Sequence, residues 1–173
     1  IGATYGQLTD GANAAGAWLA GAVPHRGPAG RKITEPGHNA LEMMSKPHHV
    51  YVLLGVEPNA DCLAGGSTIA ALKNATQVVS LNAYNHPVLD EVATVQLPIA
   101  AYAENEGSFV NVCGEWQAFD AAVRPPGESR AAWKVLRVLG EQLGLAGFDA
   151  VDCHDVTIEV KSLCADSASE NPG

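Results

Sequence analysis

Short apolar runs alternate with helical patterns through the middle of the chain. Continuous apolar or β-branched runs predict three buried strands, at positions 50–54, 77–81 and 94–97. Between them the pattern predicts a helix at 67–74, capped by Ser67, and a helical turn at 88–92. This order predicts right-handed crossovers and an α/β fold, a doubly wound, mostly parallel sheet with flanking helices. We expect the first strand to be covered on both faces.

The clearest amphipathic helix follows the sequence PPGESR. Its apolar residues recur at helical spacing on one face, opposite a charged face. The apolar set is Ala132, Val135, Leu136, Leu139 and Leu143. Glu128 or Ser129 is placed to cap the start of this helix, and Gly144 is placed to end it. The apolar face predicts a helix that packs on a core.

The two ends of the chain differ in composition from the middle. Residues 1–47 are rich in Gly and Ala, with a weak helical segment near 39–44, and predict an extended N-terminal arm. Residues 48–145 form the predicted α/β domain. Residues 146–173 predict a short helix, capped by Asp155 and ending near Leu163, and then a disordered tail at SASENPG. The chain begins without Met or a signal-peptide pattern, so we expect a piece of a longer protein.

Composition and charge exclude several classes of function. A hydrophobic share of 47% with 17% charged residues is typical of a globular protein of one domain. The longest apolar run, at 14–23, is interrupted by glycines and is too short for a spanning helix, so we expect no membrane insertion. The net charge is −9, and the ten Lys and Arg residues are scattered. Nucleic acid is therefore not an expected partner.

The cysteines and histidines do not form a metal-binding pattern. The four cysteines, Cys62, Cys113, Cys153 and Cys164, are far apart and include no C-x-x-C pair. The histidines include no H-E-x-x-H and no pair at helical spacing, although long-range assembly of a site stays open. We expect ordinary thiols, satisfied or exposed histidines, and no metal site.

Polar residues follow the first two predicted strands. Ligands of open parallel sheets bind at the carboxyl ends of the strands, where Gly55, Glu57 and Asn82 are predicted to lie. A carboxylate or amide there could read a base or ribose edge, and glycine would let the backbone approach closely. The alternative is a tight polar turn that satisfies strand-end backbone groups. Both interpretations stay open from the residues.

Two further clusters have weaker chemical interpretations. The sequence at 65–68, GGST, could present backbone N–H groups to a phosphate, but it lacks the Lys of a P-loop and also suits a simple helix start. Glu104, Glu106, Glu115 and Asp120 could supply paired carboxylates for acid–base chemistry. No nucleophile accompanies them, so we expect solvated carboxylates and no catalytic residue.

An ordered series of short motifs runs along most of the chain. The series is GANAAGAWLAGAVP (11–24), HNALEMM (38–44), VYVLLGVEPNADC (50–62), VATVQLP (92–98), AENEGSFVN (103–111), GEWQ (114–117) and PPGESRAAWKVL (125–136). In this order it resembles the closing part of the molybdopterin oxidoreductase superfamily. Within that superfamily it is most similar to the large G subunits of bacterial NADH:quinone oxidoreductase, respiratory complex I.

The resemblance implies a place within a larger enzyme. It implies a doubly wound domain near the C-terminus of a large subunit, peripheral on the cytoplasmic side of the bacterial inner membrane, with the other complex I subunits as partners. The parent subunit is expected to hold iron–sulfur clusters in a region absent from this chain. The segment itself is expected to hold no cofactor and no molybdopterin. Its implied role is structural support and assembly, without catalysis by these residues, in electron transfer from NADH to quinone.

One departure from the cofactor-binding relatives bears on mechanism. Those relatives carry an acidic residue after the second strand, followed by a Thr-rich turn, where this chain has Asn82 and the sequence NHPVLDE. The departure implies that a site at Gly55, Glu57 and Asn82 is vestigial. Two alternatives stay open: a fragment of a cofactor-binding molybdopterin enzyme that acts on a small oxo-substrate, and an isolated nucleotide-binding module.

Overall fold

The computed structural model describes residues 11–170, with side chains described as far as residue 165. Contacts within the chain group it into two compact units. The smaller unit comprises the described parts of 1–37, 106–120 and 151–173, and the larger unit comprises 38–105 and 121–150. The predicted domains, at 1–47, 48–145 and 146–173, stay a prediction.

The larger unit is built on a parallel sheet. The elements are α2 (Ala40–Ser45), β1 (Val50–Leu54), α3 (Gly65–Lys73), β2 (Gln77–Asn82), α4 (Pro87–Val92) and β3 (Val95–Pro98), and a helix α1 (Ala14–Leu19) precedes them in the smaller unit. The three strands pair in the order β1-β2-β3, with Tyr51 opposite Val78 and Val79 opposite Val95. The predicted α/β fold with a parallel sheet is confirmed.

The main buried cluster of this unit lies on one face of the sheet, and Leu81 of β2 is buried on the other. The members of the cluster come from β1, β2, α3 and α4, and are Tyr51, Leu53, Leu72, Val78, Leu89 and Val92. Met44 of α2 packs against the same cluster, and the Tyr51 hydroxyl donates to the Met43 carbonyl at 2.9 Å. All three helices therefore lie on one side of the sheet.

The side chains of β1 on the opposite face are only about half buried. Val50, Val52 and Leu54 are 56%, 50% and 46% exposed. The prediction that this strand is covered on both faces is wrong for the described residues. Crossovers of the same hand through the order β1-β2-β3 place both connecting helices on one side. A continuous apolar run does not indicate which residues would cover the face of the strand that points away from these helices.

Two helix starts in the larger unit differ in how they are capped. At α2, Asn39 Oδ1 accepts from the Glu42 amide at 2.9 Å and the Glu42 carboxylate accepts from the Asn39 amide at 3.0 Å, which forms a capping box. Helix α3 starts at Gly65, two residues before the predicted position, and its N-cap residue is Ala64. The predicted cap at Ser67 is wrong, because its hydroxyl donates to the Ala64 carbonyl at 2.9 Å instead.

The chain returns to the end of β3 before the last helix of this unit. After a 3₁₀ turn at Tyr102–Glu104, the Ala100 amide donates to the Arg130 carbonyl at 2.8 Å, and α5 spans Ala132–Gln142. No Glu128 or Ser129 cap forms, since Ala131 flanks the helix without a side-chain cap. Gly144 ends it as predicted: φ is +69°, and its amide donates to the Glu141 carbonyl at 3.0 Å.

The smaller unit is assembled from segments distant in sequence. Its elements are α1 (Ala14–Leu19), a 3₁₀ turn (Pro28–Gly30), β4 (Gly107–Val110), β5 (Trp116–Phe119) and α6 (Cys153–Glu170). Strands β4 and β5 form an antiparallel hairpin that the sequence pattern did not predict. Its loop forms around Asn111, whose side-chain oxygen accepts from the Cys113 and Glu115 amides at 2.9 and 3.0 Å. The predicted N-terminal arm thus contains α1, and residues 1–10 lie outside the described residues.

Helix α6 is longer than predicted. It continues to Glu170, so the predicted end near Leu163 and the predicted tail over 167–170 are wrong. Ala, Ser and Glu in this stretch are polar or small but compatible with a helix. Its start is capped by Asp152, whose Oδ1 accepts from the Asp155 amide at 2.9 Å, and not by Asp155. Residues 171–173 lie outside the described residues. Between residues 11 and 170, no helix is both long and apolar enough to span a bilayer.

Candidate functional site

Gly55 occupies the turn that follows β1. Its φ is +60°, and its amide donates to the Leu81 carbonyl of β2 at 2.8 Å. A Cβ atom at this position would meet no heavy atom within 4 Å. Glycine is therefore favoured here by the backbone conformation and not by crowding. The hydrogen bond holds the carboxyl ends of β1 and β2 side by side.

Glu57 lies in the loop that follows this turn. Its amide donates to Asp61 Oδ2 at 2.6 Å, so the loop has an internal carboxylate partner. Its carboxylate Oε2 lies 3.8 Å from His86 Nε2, with 39% of the Glu57 side chain and 21% of the His86 side chain exposed. The structure thus brings the loops after β1 and β2 together through a carboxylate and an imidazole.

His86 also starts helix α4. Its Nδ1 accepts from the Val88 amide at 3.3 Å, with Pro87 at the first helical position. This contact places the proton of the neutral imidazole on Nε2, the atom that faces Glu57. The sequence predicts that His86 is a satisfied or surface residue, and nothing in it indicates that His86 lies close to Glu57. Only its place at the helix start had a signal, a histidine directly before a proline that can begin a helix.

Asn82 ends β2, and only the oxygen of its side-chain amide is hydrogen-bonded. Its Oδ1 accepts from the Ala83 amide at 2.8 Å, and its backbone carbonyl accepts from the Ile99 amide at 3.1 Å. Its Nδ2 is buried and has no hydrogen-bond partner among the described residues. An unsatisfied buried donor is unfavourable by about 1–3 kcal/mol. The unpaired hydrogen-bonding group at this position is therefore the Nδ2 donor of Asn82.

The three predicted site residues, Gly55, Glu57 and Asn82, thus lie at the carboxyl ends of adjacent strands. The structure pairs Glu57 with His86 and gives Asn82 an internal partner. The arrangement offers a carboxylate acceptor, an imidazole and a buried amide donor, which suits a polar ligand or ordered water. Cofactor binding by these residues stays a prediction.

Two of the other candidate carboxylates have structural partners. Glu104 Oε2 accepts from the Ala101 amide at 2.8 Å, and Glu115 Oε2 accepts from Asn111 Nδ2 at 2.9 Å. Both carboxylates therefore stabilise turns. No disulfide joins the four cysteines, all of which are described. Within residues 11–170, no three His, Cys, Asp or Glu side chains are grouped as metal ligands.

Comparison with known proteins decides the family. A sequence model described as molybdopterin oxidoreductase matches residues 3–142. The chain belongs to this family. The match includes the entire parallel sheet and helix α5 of this molybdopterin oxidoreductase chain, and it confirms the resemblance found from the motif series.

Proteins similar to this molybdopterin oxidoreductase chain include NADH-ubiquinone oxidoreductase subunits and a formate dehydrogenase subunit. It is 49% identical over 51 residues, 30% of the chain, to the mitochondrial NADH-ubiquinone oxidoreductase 78 kDa subunit of Candida albicans. It is 39% identical over 72 residues, 40% of the chain, to the same subunit of Neurospora crassa. It is also 43% identical over 54 residues, 31% of the chain, to the F420-dependent formate dehydrogenase 1 subunit alpha of Methanococcus maripaludis.

The matched segments are a small part of these relatives. They cover 7%, 10% and 8% of the length of the Candida, Neurospora and Methanococcus proteins. The similarity therefore identifies an oxidoreductase family and relatives that include NADH-ubiquinone oxidoreductase 78 kDa subunits. It compares one segment and assigns no reaction to it.

Proposed function

We propose that this chain is a structural and assembly segment of the large iron–sulfur G subunit of NADH:quinone oxidoreductase. It would support electron transfer from NADH to quinone without carrying a redox centre. The observation that carries the proposal is the similarity to two NADH-ubiquinone oxidoreductase 78 kDa subunits, at 49% and 39% identity. The motif series along most of the chain adds support.

The chemistry at Asn82 argues against a guanine-reading cofactor site. The Watson–Crick edge of guanine presents N–H donors beside its carbonyl, and these donors require an acceptor from the protein. The Asn82 oxygen already accepts from Ala83, and its remaining Nδ2 is itself a donor. Asn82 therefore offers the guanine donors one amide oxygen that is already in use, where a carboxylate would offer two oxygens, and we propose that the segment holds no molybdopterin cofactor.

The proposal extends to partners and location. The segment would contact other subunits of complex I, in a peripheral part on the cytoplasmic side of a bacterial inner membrane. The iron–sulfur clusters would be held elsewhere in the parent subunit. The dispersed cysteines support this, since Cys62, Cys113 and Cys164 are isolated in sequence and lack a cluster-binding spacing.

A second candidate is a segment of a cofactor-binding molybdopterin enzyme. The similarity to a formate dehydrogenase alpha subunit, at 43% identity over 54 residues, favours it. An isolated nucleotide-binding module is the remaining alternative, in which Glu57 would accept from a base.

The first experiment changes two leucines in the full polypeptide that the gene encodes. Leu72 is 1% exposed in the core, whereas Leu63 is fully exposed. We expect Leu72→Asp to abolish both assembly of the complex and NADH-driven quinone reduction in membranes, because a buried carboxylate unfolds the segment. We expect Leu63→Asp to leave both unchanged. Normal assembly and activity of the Leu72→Asp variant would contradict the structural role, provided that protease sensitivity shows the segment to be unfolded.

The second experiment separates the alternatives. Metal analysis of the purified full polypeptide measures molybdenum, a fluorescence assay of the released organic cofactor measures pterin, and we expect neither. Stoichiometric molybdenum would favour the cofactor-binding enzyme. Saturable guanine-nucleotide binding that is lost on Glu57→Ala would favour the nucleotide-binding module.

A further inference from the structure

One loop of the smaller unit differs in charge from the rest of the chain. Residues 11–34 contain Arg26, Arg31 and Lys32 and no Asp or Glu, although the whole chain has a net charge of −9. All three cations lie in residues 23–33, which we call the basic loop. This loop is therefore a local positive region on an acidic protein.

A β-bridge brings two of these cations side by side. Arg26 pairs with Lys32 in antiparallel orientation, and the Gly27 amide donates to the Arg31 carbonyl at 2.9 Å. This pattern makes Arg26 and Lys32 a non-hydrogen-bonded pair, the type in which the two side chains lie on one face and closest together. Like charges in directly opposite positions are destabilising. The fold therefore maintains a charge pair that is unfavourable for its own stability.

Two helices hold the basic loop in place. Helices α1 and α6 both contact its 3₁₀ turn at Pro28–Gly30. A Cβ atom at Gly30 would overlap the Trp18 ring, so the indole packs directly on this turn. The backbone that carries Arg26 and Lys32 is thus ordered before any partner binds, which reduces the entropy lost on association.

No residue that the structure describes forms an ion pair with the three cations. The ion pairs in that part of the chain involve Lys73, His86 and Arg130 instead. Arg31 Nε is buried and also has no acceptor among the described residues. An acceptor from outside the described chain would therefore stabilise the basic loop.

The backbone of the loop favours a carboxylate ligand over a phosphate group. Phosphate sites commonly use free backbone N–H groups. Here the amides of Gly27, Gly30 and Arg31 already donate to carbonyls of the same loop, at 2.9 to 3.2 Å. Recognition by this loop therefore depends on its side chains, and the arginine guanidinium matches the two oxygens of a carboxylate.

The surroundings of the loop favour a protein segment over nucleic acid. Trp18 is 42% exposed and Ile33 is 38% exposed. Tryptophan and arginine are enriched at the centres of protein interfaces. Charges are screened beyond about 8–10 Å at moderate salt, so a short acidic segment is attracted by the basic loop alone. A nucleic acid would extend from the loop over the acidic remainder of the chain.

We propose that the basic loop binds an acidic segment of another subunit, in the complex that contains the full polypeptide. Carboxylates of this segment would pair with Arg26, Arg31 and Lys32, and its apolar side chains would contact the exposed part of Trp18. The inference rests on the proposed function only in that the chain is part of one subunit of an assembly.

Zero-length cross-linking of the intact complex tests the proposal. A carbodiimide joins a lysine amine to a carboxylate only where the two are in direct contact. The ion pair of Lys73 and Glu91 is the internal control, because it should be joined within the chain. We expect Lys32 to be joined to an Asp or Glu of another subunit, identified by mass spectrometry of the linked peptides. Lys32 joined to its own polypeptide, or left unjoined while the control pair is joined, would overturn the proposal.

Charge reversal gives an independent readout. Lys32→Glu places a carboxylate opposite Arg26, so we expect the melting temperature of the full polypeptide to stay the same or rise. Its affinity for the rest of the complex should fall about tenfold at low salt and by less at high salt. Arg124→Glu makes the same charge change at an exposed position outside the loop and should alter neither quantity. Equal affinities of the two variants would contradict the proposal.

The cross-link and the proposed function can fail separately. If the full polypeptide purifies in a complex without NADH-driven quinone reduction, the proposed function is wrong, and the peptides linked to Lys32 still decide what the basic loop binds. If the complex is active but Lys32 has no carboxylate partner in another subunit, only the inference about the loop is wrong.

Discussion

The two compact units obtain their stability from different sources. The larger unit has a cluster of six buried residues within the stretch 51–92, and Leu81, Ile99, Ala100 and Ala131 are buried outside that cluster. In the smaller unit, Val110 is the one buried apolar residue among those described. There, the Phe109 and Phe119 rings lie 5.0 Å apart, and Lys161 Nζ lies 5.3 Å from the Trp116 ring. The comparison teaches that one unit depends on a hydrophobic core and the other on specific polar and aromatic contacts.

The largest expected effect comes from the core of the larger unit. Leu72→Ala removes a side chain that is 1% exposed, and we expect it to lower the free energy of unfolding by about 2–5 kcal/mol. Urea denaturation, read with hydrogen exchange at the β2 amides, measures the loss. Leu63→Ala is the control and should change little, since Leu63 is fully exposed. Equal effects of the two substitutions would contradict the assigned core.

A smaller effect is expected from a polar contact of the smaller unit. Asn13 Oδ1 accepts from the Val110 amide at 2.8 Å, and Asn13→Ala leaves this partly buried amide without its partner. We expect a loss of about 1–3 kcal/mol, seen as faster exchange of the β4 amides. Asn74→Ala is the matched control, because the Asn74 side chain bonds to a carbonyl at an exposed helix end. If β4 exchange does not change, polar contacts do not stabilise this unit.

The smallest effect is expected at the surface of the larger unit. Lys73 Nζ and Glu91 Oε1 form an ion pair at 2.5 Å between α3 and α4, with both side chains about half exposed. A double-mutant cycle of Lys73→Ala and Glu91→Ala should give a coupling energy of about 0.2–1 kcal/mol, which falls as salt is added. A coupling energy as large as the loss for Leu72→Ala would show that the core is not the main source of stability.

Much of the larger unit could be predicted from the sequence. Strand β1 has the predicted bounds, because an apolar β-branched run bounded by Gly55 specifies both its type and its end. Helix α5 was predicted because its apolar residues recur at one spacing and Gly144 permits a positive φ. The half-exposed face of β1 could not be predicted, since the run VYVLL is apolar on both faces and predicts a strand covered on both.

The smaller unit was harder to predict because its strands are short and its partners are distant. Strands β4 and β5 have four residues each, and their pairing forms around a loop that Asn111 organises. The candidate site shows the same limit. The positions of Gly55, Glu57 and Asn82 at the strand ends followed from topology. The approach of His86 to Glu57 did not, because it depends on how α4 begins.

The hydrogen bond between Asn13 and Val110 also bears on the order of folding during synthesis. These residues are 97 positions apart, so the segment around Asn13 leaves the ribosome long before its partner is translated. The parallel sheet needs only residues 38–98, and local crossovers can form as soon as that stretch emerges. We expect the sheet to form first, while the α1 segment still lacks its native hydrogen bond to Val110.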